Sequence, residues 1–113
     1  MTEAAFTAKL VKALKREMPD AIVWRGPYPD AGRPDLQVVV NGTTTYVEAK
    51  KEPYEVTKLQ RFYLARIGPE RAMVVCLHKD KTVSVSFGKF HLMIRYADHD
   101  KAFHEVALRC RIR

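Results

Sequence analysis

Near the start of the chain Phe6, Leu10, Val11, Leu14 and Met18 recur at three- and four-residue steps. That spacing puts them on one stripe and predicts an amphipathic helix over residues 2–18, stopped by Pro19-Asp20. Residues 21–25 (AIVWR) read as a short strand. Residues 26–34 (GPYPDAGRP) hold two Gly and three Pro and read as an irregular loop. Residues 36–40 and 43–49 are β-rich runs on either side of Asn41-Gly42, the strongest short-range hairpin signal, because both central residues of a type I′ turn need positive φ. Residues 56–67 (VTKLQRFYLARI) predict a helix that Gly68-Pro69 closes. The unbroken apolar run 72–77 predicts a strand buried on both faces. Another short strand is expected at 82–87. Beyond Gly88 the pattern is ambiguous until 105–113, whose alternation predicts a strand. The order α-β-β-β-α-β-β describes a single α/β domain over residues 1–113, a mixed sheet flanked by helices.

Composition narrows the partner more than the fold. The 113 residues are 47% hydrophobic and 29% charged, as in soluble globular proteins. Twenty Lys and Arg against 13 Asp and Glu give a net charge of +7, which favours a polyanionic partner, nucleic acid before a membrane surface. No apolar run approaches the ~20 residues of a membrane span. The first ten residues resemble neither a signal nor a transit peptide. Cys76 and Cys110 lack metal-ligand spacing and read as reduced core or strand residues of a cytosolic protein. His78, His91, His99 and His104 form no ligand pair and read as surface or packing residues.

The hairpin carries the chemistry. With a two-residue turn at Asn41-Gly42, Val40 pairs with Thr43, and Asp35 lies directly across from Glu48 on one face. Like charges so placed destabilise a sheet. Lys50 lies two residues past Glu48 and shares that face. A four-residue turn would set Asp35 opposite Lys50 and still keep all three together. One reading is an ordinary salt bridge on an exposed hairpin. The other is a site for a hard divalent cation, which takes one or two carboxylates plus water and substrate phosphate. Gly32 and Pro34 favour the second, since they place Asp35 where a loop meets a strand and leave little bulk before it. Glu3 falls on the apolar stripe of the first helix, where it would complete the site or serve the helix dipole; Glu17 shares that stripe.

Glu3, Gly32-Arg33-Pro34-Asp35, Glu48-Ala49-Lys50 and Thr57-Lys58-Leu59-Gln60 together resemble the PD-(D/E)XK nuclease superfamily, and within it the stand-alone VRR-Nuc type of phages and bacteria. The resemblance covers residues 2–77. It implies a restriction-endonuclease-like core, with Asp35 and Glu48 as Mg²⁺ or Mn²⁺ ligands and the Ala49 carbonyl beside them. It also implies Lys50 as the catalytic lysine, Gln60 as a supporting residue and Glu3 as an accessory metal or water ligand. Lys51, a second lysine directly after Lys50, departs from the pattern and belongs to the opposite face.

Candidate nucleic-acid contacts are Arg25, Tyr28 and Arg33 around the Gly/Pro loop, and Lys51, Lys58 and Arg61 around the second helix. Arg109, Arg111 and Arg113 would line one face of the last strand, as a phosphate track or as charge protecting an edge. Minimal members of the resembled group are similar to Holliday-junction resolvases. The expectation is therefore a Mg²⁺- or Mn²⁺-dependent endodeoxyribonuclease acting on branched DNA as a homodimer, in the cytoplasm (the host's, if phage-encoded) and away from membranes. Nicking, flap or end-directed cleavage, a non-catalytic nucleic-acid-binding protein, and a basic interaction module are the alternatives.

Overall fold

A computed structural model describes residues 1–26, 34–53, 65–68, 71–87 and 92–111. Helix α1 spans Glu3–Glu17. The Thr2 hydroxyl accepts from Ala5 N at 3.0 Å and caps it, with Glu3 in its first turn and Lys15 and Arg16 in its last. Six strands follow: β1 (Ile22–Arg25), β2 (Leu36–Val40), β3 (Thr43–Lys51), β4 (Ala72–Leu77), β5 (Val83–Phe87) and β6 (Leu92–Tyr96). Helix α2, His99–Arg111, ends the described chain. Residues 65–67 are helical and Gly68 takes φ +97°, as the predicted helix end requires; the rest of that expected helix lies outside the described residues.

The strands lie in chain order in one mixed sheet. Two antiparallel meanders, β1-β2-β3 and β4-β5-β6, meet at a parallel seam between β3 and β4. Asn41 at φ 50° and Gly42 at φ 77° make the expected two-residue turn, and Val40 pairs with Thr43. On one sheet face Leu36, Val38, Val47, Ala49, Val75, Val83 and Val85 pack against Phe6, Leu10 and Leu14 of α1 and Phe103, Val106 and Ala107 of α2 in a single core. The Phe6 and Phe103 rings meet at 5.9 Å between centroids. Among the described residues no helix is long and apolar enough to cross a membrane.

The C-terminal segment differs from the expectation of a strand. Residues 99–111 are helical, and Asp98 caps them by accepting from Asp100 N at 2.9 Å. Ala102, Phe103, Val106, Ala107 and Cys110 are its buried positions, a helical stripe. Over 105–111 alone, Val106, Leu108 and Cys110 mimic a strand's alternation. Arg109 and Arg111 therefore form no row along a strand. Arg109 bonds Glu105 at 3.0 Å and stacks 4.0 Å from the Phe87 ring centroid, while Arg111 donates to the Glu17 carbonyl; Arg113 lies outside the described residues.

Candidate functional site

The sheet's other face carries the candidate chemistry. Side chains alternate along a strand, so Val47 and Ala49 enter the helix-covered core while Glu48 and Lys50 point away from it. The paired ladder runs from Val40–Thr43 to Leu36–Val47, and Asp35 follows as the next residue toward Glu48. Two backbone contacts hold Asp35. Its carbonyl accepts from Gly26 N at 2.9 Å at the end of β1, and its Oδ2 accepts from Ala49 N at 3.2 Å on β3.

Glu48 is only 2% exposed, and its carboxyl is hydrogen-bonded to that of Asp35. Lys50 Nζ lies 3.4 Å from Glu48 Oε1, with its own side chain 14% exposed. Burial pushes the Glu48 carboxyl up to about 8, the Asp35 charge and hydrogen bond add to the rise, and Lys50 opposes it. One ammonium does not offset burial and a second carboxylate together. Without further positive charge, burial and the neighbouring Asp35 carboxylate favour the protonated form of Glu48. The register argument thus brings Asp35, Glu48 and Lys50 into one cluster, with the Ala49 backbone against Asp35.

Glu3 stands at the edge of this group. Its Oε1 accepts from Lys51 N at 3.2 Å, one residue beyond Lys50. The Arg25 guanidinium donates to the Ala4 carbonyl at 3.3 Å, tying the end of β1 to the first turn of α1. Lys51 is exposed and has the opposite parity to Lys50. Tyr28, Arg33, Lys58, Gln60 and Arg61 lie outside the described residues. Among the described residues no three His, Cys, Asp or Glu side chains converge as a metal-holding group; the carboxylates brought together here are a pair.

Sequence reasoning missed the polar cluster next along the same face. His78, read as a surface or packing residue, bonds Glu52 through Nδ1 and lies 2.7 Å from Ser84 Oγ through Nε2. Lys79 N also donates to Glu52 Oε1, at 3.4 Å. The bond from His78 holds the Glu52 carboxyl below the usual carboxylate range. Period-2 spacing puts Glu48, Lys50 and Glu52 on one face, which was the available signal. The parallel register that sets Lys51 beside Leu77, and so delivers His78, leaves no mark in either strand. Cys76 and Cys110 are buried and unpaired with each other, and burial pushes the Cys110 thiol up to about 11, as for inert core thiols. No family model, curated protein or solved structure matches this chain.

Proposed function

We propose that the chain is a metal-dependent endodeoxyribonuclease with a restriction-endonuclease-like core. The observation that carries this reading is the pairing of the buried Glu48 with the half-buried Asp35, two carboxylates against the single ammonium of Lys50. A structural salt bridge needs one carboxylate for one ammonium. Fully ionised, this trio carries one negative charge in excess around the buried Glu48 side chain, which favours a bound cation. The donors are all oxygens, Asp35, Glu48 and the Ala49 carbonyl, which is the ligand chemistry of Mg²⁺ or Mn²⁺. Bound there, such an ion would polarise a phosphoryl oxygen and acidify a water molecule.

The protein groups have separate tasks. Ala49 N fixes the Asp35 carboxylate, so that it faces Glu48 without reorganising. With a cation held there, Glu48 would release its proton to solvent and serve as a ligand. Lys50, 3.4 Å from it, would offer its ammonium to the negative charge that develops on the phosphate or orient the attacking water. Glu3, beside Lys51, and Gln60 support the site. Arg25, Tyr28, Arg33, Lys51, Lys58 and Arg61 contact the DNA backbone.

Branched DNA such as a Holliday junction, cut by a homodimer, is the substrate of this reading. Edge strand β1, with Ile22 and Trp24 more than half exposed, is the surface available for a second copy. Cys76 and Cys110, with no disulfide between them, suit the cytoplasm. The test incubates junction, flap, single-stranded and linear duplex DNA with Mg²⁺, Mn²⁺ or EDTA, using the wild type, Asp35→Asn and Lys50→Ala. Cleavage is expected only with metal, fastest on the junction, absent in Asp35→Asn and about 10²-fold or more slower in Lys50→Ala. Cleavage in EDTA, or cleavage insensitive to both substitutions, would overturn the assignment.

A further inference from the structure

The sheet face that carries Glu48 and Lys50 also carries the chain's one tryptophan. Trp24 on β1 lies opposite Gln37 on β2, and Gln37 lies opposite Tyr46 on β3. Directly paired residues share a face, and Leu36 and Val47, next to Gln37 and Tyr46, enter the helix-covered core. Trp24, Gln37 and Tyr46 therefore form a row on the opposite face, the one from which Glu48 and Lys50 project. Their neighbours on β1 agree with this. Val23 packs against the core and Arg25 reaches the Ala4 carbonyl of α1, both on the helix side.

The next row along is Gly26, Asp35 and Glu48. Gly26 N donates to the Asp35 carbonyl at 2.9 Å, and the glycine brings no side chain between the indole and the carboxylates. Trp24 and Asp35 are two residues apart along the strands and one strand apart across the sheet, ~6.6 Å and ~4.8 Å.

Trp24 is 58% exposed, and Ile22, two residues before it on the same face, is 54% exposed. Tryptophan is highly buried on average, yet the core here is filled from the other face by Phe6, Leu10 and Phe103. Tyr46 is half-buried at the inner end of the row. The result is a flat apolar surface one row from the acidic pair.

We propose that Trp24, with Tyr46 behind it, is a stacking platform for an unpaired nucleobase beside the phosphate held at Asp35 and Glu48. The inference rests on the nuclease reading for the place of that phosphate. An aromatic ring stacks on any base, because every base has a π-face. In continuous duplex both faces of each base are already covered by its neighbours. The platform thus selects DNA with unpaired nucleotides, at a branch point or a flap, over continuous duplex. The net charge of +7 would draw either form through its phosphates, so charge supplies affinity and the indole supplies discrimination. A second copy at the edge of β1 would pair with that strand's backbone, in the plane of the sheet, and leave the indole on the face.

Trp24 is the only tryptophan in the chain, so its emission reports this position alone. The experiment titrates the protein in EDTA with single-stranded oligothymidine and, separately, with a long blunt-ended duplex, following tryptophan emission. Filter binding gives the affinity for each DNA. Emission is expected to be quenched by the single strand and changed little by the duplex. Trp24→Ala should bind the single strand about tenfold more weakly with little change for the duplex, and Trp24→Phe should recover most of the loss. No quenching by the single strand, or equal losses for both DNAs in Trp24→Ala, would overturn the proposal. Emission that shifts with protein concentration before DNA is added would also overturn it, since a second copy would then cover the indole. Asp35→Asn separates the two readings, because it should keep the quenching without cleaving. Trp24-dependent single-strand binding by a wild type that never cleaves would sustain the platform and remove the nuclease; cleavage without quenching would do the reverse.

Discussion

At the scale of single residues, Glu48 determines how the site behaves. Its folded carboxyl titrates near 8, above its ordinary value of 4.5. The folded state therefore holds a proton that the unfolded chain has already lost. Stability from this group is present below pH 4.5 and is lost as pH rises towards 8. In EDTA, the unfolding free energy of the wild type is expected to fall by a few kcal/mol between pH 5 and pH 8.5. Glu48→Gln, which keeps the shape and cannot ionise, should lack most of that decline. Lys50→Ala removes a group that holds Glu48 down, so its decline should extend to still higher pH. Urea melts across this range check both variants; a wild type and a Glu48→Gln variant with parallel pH profiles would contradict the burial argument.

At the scale of elements, two local devices set the site's geometry. The Asn41-Gly42 turn fixes the register that brings Asp35 to Glu48. A Cβ on Gly42 would meet nothing within 4 Å, so Gly42→Ala tests backbone conformation alone. It should cost about 1 kcal/mol, the penalty for a left-handed non-glycine residue, seen as a lower urea midpoint with an unchanged slope. The second device is the first turn of α1, where Glu3 reaches Lys51 N. Thr2→Ala removes the side-chain cap on Ala5 N and should also cost about 1 kcal/mol. A larger fall in metal-dependent cleavage than in stability would show that this turn positions Glu3 for the site.

These elements also explain which parts of the molecule were legible in the sequence. The hairpin was legible because turn chemistry and period-2 spacing are local, and they place Asp35, Glu48 and Lys50 without knowledge of any other strand. The α1 stripe was legible for the same reason. Helix α2 was not, because Val106, Leu108 and Cys110 alternate over a short window, and only the inclusion of Ala102 and Phe103 reveals the helical period. The Glu52–His78–Ser84 cluster depends on the parallel β3/β4 seam. That pairing joins residues far apart in the chain through backbone bonds that any side chain permits.

At the scale of the whole molecule, all these parts lie along the carboxyl-terminal half of β3. The hairpin carries the carboxylate pair, α1 supplies Glu3, and the β4–β5 turn brings Lys79 and Lys81 near Lys51 at the end of β3. The net charge of +7 would draw such a molecule to a polyanion over long range, while the site sets two carboxylates against one ammonium. The whole turns on whether the acidic pair is a metal site or an internally satisfied salt bridge. Titration calorimetry with Mn²⁺ at pH 8, without DNA, decides this directly. Saturable binding by the wild type is expected, lost in Asp35→Asn and Glu48→Gln although both remain folded by circular dichroism. A wild type that takes up no Mn²⁺, or one whose Mn²⁺ binding survives both substitutions, would contradict the metal centre at Asp35 and Glu48.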